Sequence, residues 1–253
     1  MKCIVEGIAT EYAVSGKGPI IMLLHGWGTS SRDMENLARE LANSYCVITL
    51  DFPGFGSSER PAEVWGVGDY ATFVQKFLEK INISDIYALI GHSFGGRVII
   101  AGCARNIIKP NKIVLIGSAG IKHSADMKTT VFKGLAKSGK ALLSLPGLSK
   151  YSSRAKLKLY EKAGSMDYLE AGGMKDIFSK VIHEDLQSDA AEIVQSTLLI
   201  WGSKDEASPV ADAKQFHKLI THSHLEIIEG AGHFVHHDET TKVQMLIKRF
   251  FDA

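Results

Sequence analysis

A serine lies at the centre of the segment Gly91-His92-Ser93-Phe94-Gly95, which has the pattern G-x-S-x-G. The segment separates a short apolar run from a stretch with helical apolar spacing, so it predicts a sharp turn from a strand into a helix. Glycines in such a turn avoid collisions with neighbouring backbone, and amides at the start of the helix favour negative charge. We therefore predict that Ser93 is a nucleophile; the alternative is a glycine-rich turn with a serine helix cap.

A serine hydroxyl needs a base that removes its proton and an acid that orients the base. His233 follows one apolar run near the C-terminus, and Asp205 and Glu206 follow the preceding run. Loops at the carboxyl ends of parallel strands meet at one edge of a sheet, where open α/β sheets hold their sites. The chain order therefore predicts a catalytic triad that includes Ser93 and His233. Asp205 and Glu206 both remain candidates for the acid, and a capping or core role is the alternative for the histidine.

Two further histidines, His236 and His237, follow His233 closely enough to raise the question of a metal site. The segment has neither an H-E-x-x-H pattern nor carboxylates clustered at ligand spacing. The glycine pairs of the chain complete no dinucleotide or phosphate-binding motif. The sequence therefore predicts no metal and no cofactor.

Short apolar runs alternate along the chain with windows of helical periodicity. All but the last run are apolar on both faces, which is typical of parallel strands covered by helices on each side. The helical windows repeat apolar residues at i, i+3, i+4 and i+7, so each helix lays one apolar face on a sheet. This pattern predicts an α/β fold with a mostly parallel, doubly wound sheet, and residues 2–15 predict an antiparallel edge hairpin. The predicted strands are 20–24, 46–50, 86–90, 113–116, 198–201 and 225–228, and the predicted helices include 34–45, 70–81 and 243–251.

The spacing of the predicted strands locates an insertion. Successive strands start 26 to 40 residues apart, except for one interval of 85 residues after the strand at 113. Because a βαβ unit takes roughly 30 residues, we expect residues 1–120 and 191–253 to form a core domain and residues 121–190 a helical cap. Residues 121–181 carry twelve basic and five acidic side chains, a net charge of +7. Their amphipathic pattern predicts a cap helix over the site, and contact with a membrane surface is the alternative. A preference of the positive cap for an anionic acyl substrate is compatible with either.

The composition restricts the partners and the compartment. Lys and Arg number 29 and Asp and Glu 28, so the net charge of +1 predicts no nucleic-acid partner. The scattered cysteines Cys3, Cys46 and Cys103 fit neither a disulfide framework nor a zinc site. No apolar run approaches ~18 residues, and the N-terminal residues lack a signal-peptide pattern. We expect a cytoplasmic monomer or homodimer without stable membrane insertion.

Five motifs follow one another along the chain: His25-Gly26-Trp27-Gly28, Asp51-Phe52-Pro53-Gly54-Phe55-Gly56-Ser57-Ser58, the Ser93 segment, Trp201-Gly202-Ser203-Lys204-Asp205-Glu206-Ala207-Ser208-Pro209 and Gly230-Ala231-Gly232-His233. In this order they resemble the motifs of the α/β-hydrolase superfamily. The resemblance covers nearly the whole sequence and implies the α/β-hydrolase fold with an inserted cap, in a serine esterase-like branch. The fourth motif resembles the acid-bearing loop of the superfamily and favours Asp205 over Glu206.

The same resemblance implies the remaining site residues and the reaction. The backbone N–H groups of Phe94, which follows the nucleophile, and of Trp27 would bind the oxyanion of an acyl-transfer reaction. The indole of Trp27 would line the acyl pocket or pack beside the loop. The implied activity is that of a carboxylesterase acting through an acyl-enzyme on a small-molecule ester, with an anionic ester as one variant. A carbon–carbon bond hydrolase, a thioesterase and a ligand receptor on the same fold are the alternatives.

Overall fold

The computed structural model describes residues 1–122 and 172–253. Eight strands of these residues form one sheet: β1 (Lys2–Val5), β2 (Ile8–Ser15), β3 (Ile20–Leu24), β4 (Cys46–Leu50), β5 (Ala88–His92), β6 (Lys112–Ile116), β7 (Ser196–Gly202) and β8 (Ser223–Ile228). Their order across the sheet is β1-β2-β4-β3-β5-β6-β7-β8. β1 and β2 form an antiparallel hairpin that pairs antiparallel with β4, and all other neighbours are parallel. The mostly parallel sheet and the edge hairpin are thus confirmed.

The central strands are buried on both faces, as their continuous apolar runs predict. Every residue of β5 is buried, and β3 and β6 are buried after their first residue. The strand predicted at 86–90 was misplaced by two residues. It begins at Ala88, and its far end extends into the G-x-S-x-G segment, where Gly91 and His92 pair with Leu115 and Ile116 of β6.

Helices cover both faces of the sheet. The first and last helices share one hydrophobic core, and the second and third helices lie in the core on the opposite face, which confirms the doubly wound arrangement. Within the described residues, no helix is long and apolar enough to cross a bilayer. The helices are α1 (Glu35–Leu41), α2 (Val67–Lys80), α3 (Phe94–Ala104), α4 (Lys175–His183), α5 (Gln187–Ala191), α6 (Val210–Leu219), α7 (Val235–Asp238) and α8 (Thr240–Asp252), with 3-10 turns at Ser31–Met34 and Gly172–Met174.

The cap predicted at residues 121–190 falls largely outside the described residues, as does most of the basic segment, so both stay predictions. The end of this segment is described and is joined to the core by a buried arginine. Arg97 of α3 donates hydrogen bonds from Nη1 to the carbonyl oxygens of Val181 and Glu184, each at 3.0 Å. The chain therefore returns to the core directly beside the helix that follows Ser93.

Candidate active site

Ser93 joins β5 to α3 in a strained backbone conformation. Its φ of +48° and ψ of −105° lie where residues other than glycine are rare. A Cβ on Gly91 would lie 2.6 Å from the carbonyl carbon of Gly95, and a Cβ on Gly95 would lie 2.3 Å from the carbonyl oxygen of Leu24. The turn therefore requires glycine at both positions, and it holds the Ser93 side chain at the N-terminus of α3.

Asp205 is fixed beside the ring of His233. The Nδ1 nitrogen of His233 lies 2.9 Å from Oδ2 and 3.0 Å from Oδ1 of Asp205. Oδ1 also accepts hydrogen bonds from the amides of Ala207 and Ser208, at 2.9 and 2.8 Å. The Asp205 side chain is fully buried, whereas Glu206 is exposed. Of the two candidate acids, the structure brings Asp205 to the histidine.

The carboxylate of Asp205 sets the tautomer of His233. A carboxylate can only accept, so the proton of a neutral His233 ring is on Nδ1, and Nε2 presents a lone pair. Among the described residues, no hydrogen bond joins the Ser93 hydroxyl to this ring. The residue before Ser93 does contact His233, because Nε2 of His92 lies 3.1 Å from the His233 carbonyl oxygen. In the absence of substrate such serine–histidine contacts are often long, and they tighten when it binds.

The end of β6 lies close to Ser93, Asp205 and His233. The amide of Ser93 donates to the carbonyl oxygen of Ile116, at 3.0 Å. The next residue, Gly117, has a positive φ, and a Cβ there would lie 3.2 Å from Oδ2 of Asp205 and 3.4 Å from Nδ1 of His233. The loops after β5, β6, β7 and β8 thus meet at one edge of the sheet, and they bring the three predicted residues to a common site.

The loop after β3 lies against Ser93 and is held by a buried histidine. A Cβ on Gly26 would lie 3.6 Å from the Cβ of Ser93, so this loop approaches the nucleophile turn closely. The ring of His25 donates from Nδ1 to the Gly26 carbonyl oxygen, at 2.7 Å, and accepts on Nε2 from the amide of Phe52, at 3.0 Å. Burial lowers the pKa of His25. His25 is therefore a neutral structural residue of the loop.

Trp27 is half-buried within an aromatic cluster beside this loop. Its ring centroid lies 4.8 Å from that of Phe55, 5.3 Å from Phe94 and 5.0 Å from Phe178. Phe178 belongs to α4, so the segment that begins at residue 172 contributes an aromatic ring to the cluster around Trp27. The sequence did not single out Phe55 or Phe178, although Phe55 lies inside a recognised motif.

Asp51 organises the loop that carries Phe55. Its two carboxylate oxygens accept hydrogen bonds from the amides of Ser31 and Ser57, each at 2.8 Å. Burial acts to raise the pKa of Asp51, but hydrogen bonds from the Ser31 side chain and from the Ser57 and Ser31 amides outweigh it and lower the pKa. Asp51 is thus an anion that ties two loops together.

A second group of polar residues lies behind His233. Asp33, His92 and His236 each offer a ligand atom, and these atoms lie within 4.8 Å of one another. In the part of the chain that the structure describes, this is the group whose side chains could hold a metal ion. None of the three residues was predicted as a ligand from the sequence.

The family model described as "alpha/beta hydrolase fold" matches residues 19–240. The chain belongs to the α/β-hydrolase fold family. The match extends from the residue before β3 to the first residue of α8, so it includes every loop of the α/β hydrolase core that carries Ser93, Asp205 or His233.

This α/β hydrolase has relatives of several kinds. The uncharacterised protein Rv2715 of Mycobacterium tuberculosis is 26% identical over 98% of this chain and 80% of its own length. The 2-hydroxy-6-oxo-2,4-heptadienoate hydrolase of Pseudomonas putida is 24% identical over 98% of this chain and 94% of its own. The structure of the esterase EaEST from Exiguobacterium antarcticum matches with a TM-score of 0.75 at 19% identity and covers 99% of this chain and 98% of its own. The resemblance seen in the sequence is confirmed at the level of the superfamily.

Proposed function

We propose that the protein is a serine hydrolase that cleaves carboxylic esters with Ser93 as nucleophile, His233 as base and Asp205 as the acid that orients the base. The observation that carries the proposal is the 2.9 Å contact between Nδ1 of His233 and Oδ2 of Asp205, at the same sheet edge as a serine with strained backbone angles. Membership of the α/β-hydrolase family supports it, because two of the similar proteins are named as a hydrolase and an esterase.

The proposed reaction proceeds in two halves. The Ser93 hydroxyl attacks the ester carbonyl carbon while Nε2 of His233 takes its proton. The tetrahedral intermediate collapses, the bond to the alcohol oxygen breaks, and His233 returns the proton to the departing alcohol. Water then attacks the acyl-enzyme with His233 again acting as base, which releases the carboxylic acid and restores Ser93.

Two backbone amides are proposed to bind the oxyanion in both halves. Phe94 follows the nucleophile at the start of α3, and Trp27 lies on the loop that approaches Ser93. Each such donor contributes on the order of 10²–10³ in rate. The helix N-terminus adds a favourable field for negative charge at the same point.

The aromatic cluster around Trp27, called the aromatic wall below, favours a substrate whose acyl group is apolar. This acyl group is the part of the substrate that would be transferred to Ser93. The Trp27 ring packs against Phe55, Phe178 and Phe94, the residue after the nucleophile, and such ring surfaces favour apolar contact over hydration. A neutral ester therefore fits the described part of the site better than an anionic one.

A carbon–carbon bond hydrolase is the second candidate, favoured by the relative whose name is 2-hydroxy-6-oxo-2,4-heptadienoate hydrolase. Such an enzyme would use the same three residues on a vinylogous diketone. The two candidates differ in the bond that breaks, so substrate profiling separates them.

The test is a panel of p-nitrophenyl esters of increasing acyl length, with 2-hydroxy-6-oxo-2,4-heptadienoate assayed in parallel as the carbon–carbon bond substrate. We expect ester hydrolysis by the parent and by Ser84→Ala, an exposed serine remote from the site. We expect Ser93→Ala to lose at least about 10⁴-fold in kcat, because triad members act as a unit. Full activity of Ser93→Ala would overturn its role, and turnover of the dienoate without turnover of any ester would favour the second candidate.

A further inference from the structure

Three segments distant in sequence bring a carboxylate and two imidazoles together behind His233. Asp33 lies in the 3-10 turn Ser31–Met34, His92 ends β5, and His236 lies in α7. Oδ2 of Asp33 is 3.2 Å from Nε2 of His236 and 3.7 Å from Nδ1 of His92. The side chains of both histidines are 1% exposed and that of Asp33 is 11% exposed. These three residues are called the Asp33 cluster below.

His92 has one ring nitrogen in use and one unpaired. Its Nε2 lies 3.1 Å from the carbonyl oxygen of His233, and a carbonyl oxygen can only accept, so Nε2 carries a proton. In the neutral ring, Nδ1 then presents a lone pair. That atom has no hydrogen-bond partner among the described residues.

The lone pair of His92 faces an anion. Both carboxylate oxygens of Asp33 accept hydrogen bonds, Oδ2 from Nε2 of His236 at 3.2 Å and Oδ1 from Nε2 of His237 at 2.7 Å. A bare nitrogen and a carboxylate oxygen 3.7 Å apart repel each other, and an unpaired buried polar atom is costly. A cation that accepts both electron pairs would remove both penalties.

The spacing and ligand types fit one class of cation. Tetrahedral Zn²⁺ with bonds of about 2.0–2.1 Å separates its ligand atoms by roughly 3.3 Å, which is close to the 3.2 and 3.7 Å measured from Asp33 Oδ2. Imidazole nitrogen suits Zn²⁺ and its transition-metal neighbours, whereas Mg²⁺ and Ca²⁺ prefer oxygen ligands. A neutral imidazole and an ionised carboxylate are also the protonation states in which these groups bind metal.

We infer that Asp33, His92 and His236 form a binding site for a divalent transition-metal ion of the Zn²⁺ class. The Nε2–H of His92, donated to the His233 carbonyl oxygen, supplies the outer hydrogen bond that orients a ligating histidine. When the ion binds Nε2 of His236, the proton of that nitrogen moves to Nδ1, so no net proton is released. The ion would tie the turn before α1, the end of β5 and α7 together directly behind the loop of His233.

His237 is a partly exposed neighbour of the Asp33 cluster. Its Nε2 donates to the other oxygen of Asp33, at 2.7 Å, and its side chain is 38% exposed. Asp33 can therefore keep this hydrogen bond while its Oδ2 binds the ion. Ligand spacing along the chain indicates no metal site here, because Asp33 is separated from His236 by 203 residues and the two meet only in the folded protein.

The test measures metal binding directly and does not depend on esterase activity. The full-length protein is stripped with a chelator, dialysed, and titrated with Zn²⁺ against a chromophoric chelator. We expect one tight equivalent per chain, and a Tm raised by roughly 5–10 °C at a Zn²⁺ concentration a hundredfold above Kd. Asp33→Asn and His236→Asn should each weaken binding by about 100-fold or more, since even the loss of an outer-shell partner costs 10–100-fold.

Two controls keep the result interpretable. The double variant His222→Asn and His224→Asn removes exposed histidines of the β8 region, and we expect it to retain the tight equivalent. X-ray absorption at the zinc edge on the parent protein should show imidazole and oxygen ligands without sulfur, and this readout does not require any variant to fold. Absence of a tight equivalent, or a tight equivalent that survives Asp33→Asn but not the exposed double variant, would overturn the assignment.

Discussion

His233 Nδ1 lies 2.9 Å from Oδ2 of Asp205, while the adjacent carboxylate of Glu206 is exposed. The difference arises from the loop backbone. The amides of Ala207 and Ser208 both donate to Oδ1 of Asp205, so the loop folds around that carboxylate and turns the next side chain outward. One residue along the chain therefore separates a buried hydrogen-bond acceptor from a surface charge.

Asp205→Asn should lower kcat by about 10⁴-fold with little effect on KM. An asparagine of the same shape can donate to Nδ1, which places the histidine proton on Nε2 and removes the base from Ser93. Glu206→Gln is the matched control and should change kcat by less than about twofold, because surface changes of this kind are energetically small. Steady-state kinetics on one p-nitrophenyl ester checks both, and equal losses in the two variants would contradict the assignment of the acid.

Gly95→Ala should destabilise the fold by about 3 kcal/mol or more, because backbone cannot yield to the added methyl group. The new Cβ would lie 2.3 Å from the Leu24 carbonyl oxygen. In Gly102→Ala, on the same helix, the new Cβ would lie 3.2 Å from the end of the Ile108 side chain and 3.4 Å from the Cβ of Ala71. Alanine is also a better helix former than glycine, so the unfolding free energy of the Gly102→Ala protein should differ from that of the parent by less than about 1 kcal/mol. Urea denaturation of the two variants measures the contrast, and a Gly95→Ala protein as stable as the parent would refute this account of the turn.

Phe178→Ala should lower the kcat/KM for long acyl esters relative to that for short ones. The Phe178 ring lies 5.0 Å from Trp27, and loss of such a contact surface is worth about 1.5–3 kcal/mol, or roughly 10–100-fold in relative kcat/KM. The measurement is the ratio of kcat/KM for hexanoate and acetate esters. Phe250→Ala, an equal loss of volume on α8, should leave that ratio as in the parent. The same ratio in Phe178→Ala and the parent would show that the ring does not contact the acyl group.

The fold and three site residues could be predicted because their signals are local. Strands that are apolar on both faces indicate a parallel sheet. Ser93, Asp205 and His233 each follow a predicted strand, so the topology alone brings them to one edge of the sheet. The position of β5 was less predictable. Its apolar run ends before the polar His92, whereas the backbone pairing with β6 continues through that residue.

The aromatic wall and the Asp33 cluster could not be predicted, because their members meet only through tertiary structure. Phe178 reaches Trp27 from a segment about 150 residues further along the chain, and one phenylalanine carries no signal of its partner. Asp33 in a polar stretch indicates a helix start more readily than a ligand. Its three imidazole neighbours are 59 to 204 residues away in sequence.

Asp51 should make stability depend on pH in the acid range. In the native state, hydrogen bonds from the Ser31 side chain and from the Ser57 and Ser31 amides lower its pKa, so the unfolded state binds a proton at higher pH than the native state does. The stabilisation is thus complete above the unfolded value of about 3.9 and is lost as pH falls through the lower native value.

Asp51→Asn should therefore be less stable than the parent by about 1–3 kcal/mol at pH 7, the usual contribution of hydrogen bonds to a charged group. An asparagine keeps one acceptor but presents an N–H₂ group to the other amide, so one of the two loops loses its bond. The stability difference should be constant between pH 5 and 8 on the same linkage and narrow below about pH 4. Urea titrations at several pH values measure it, with the exposed Asp85→Asn as control. A difference that stays unchanged down to pH 3 would mean that Asp51 acts through its shape, because a group that acts through its charge must lose its effect once it is protonated.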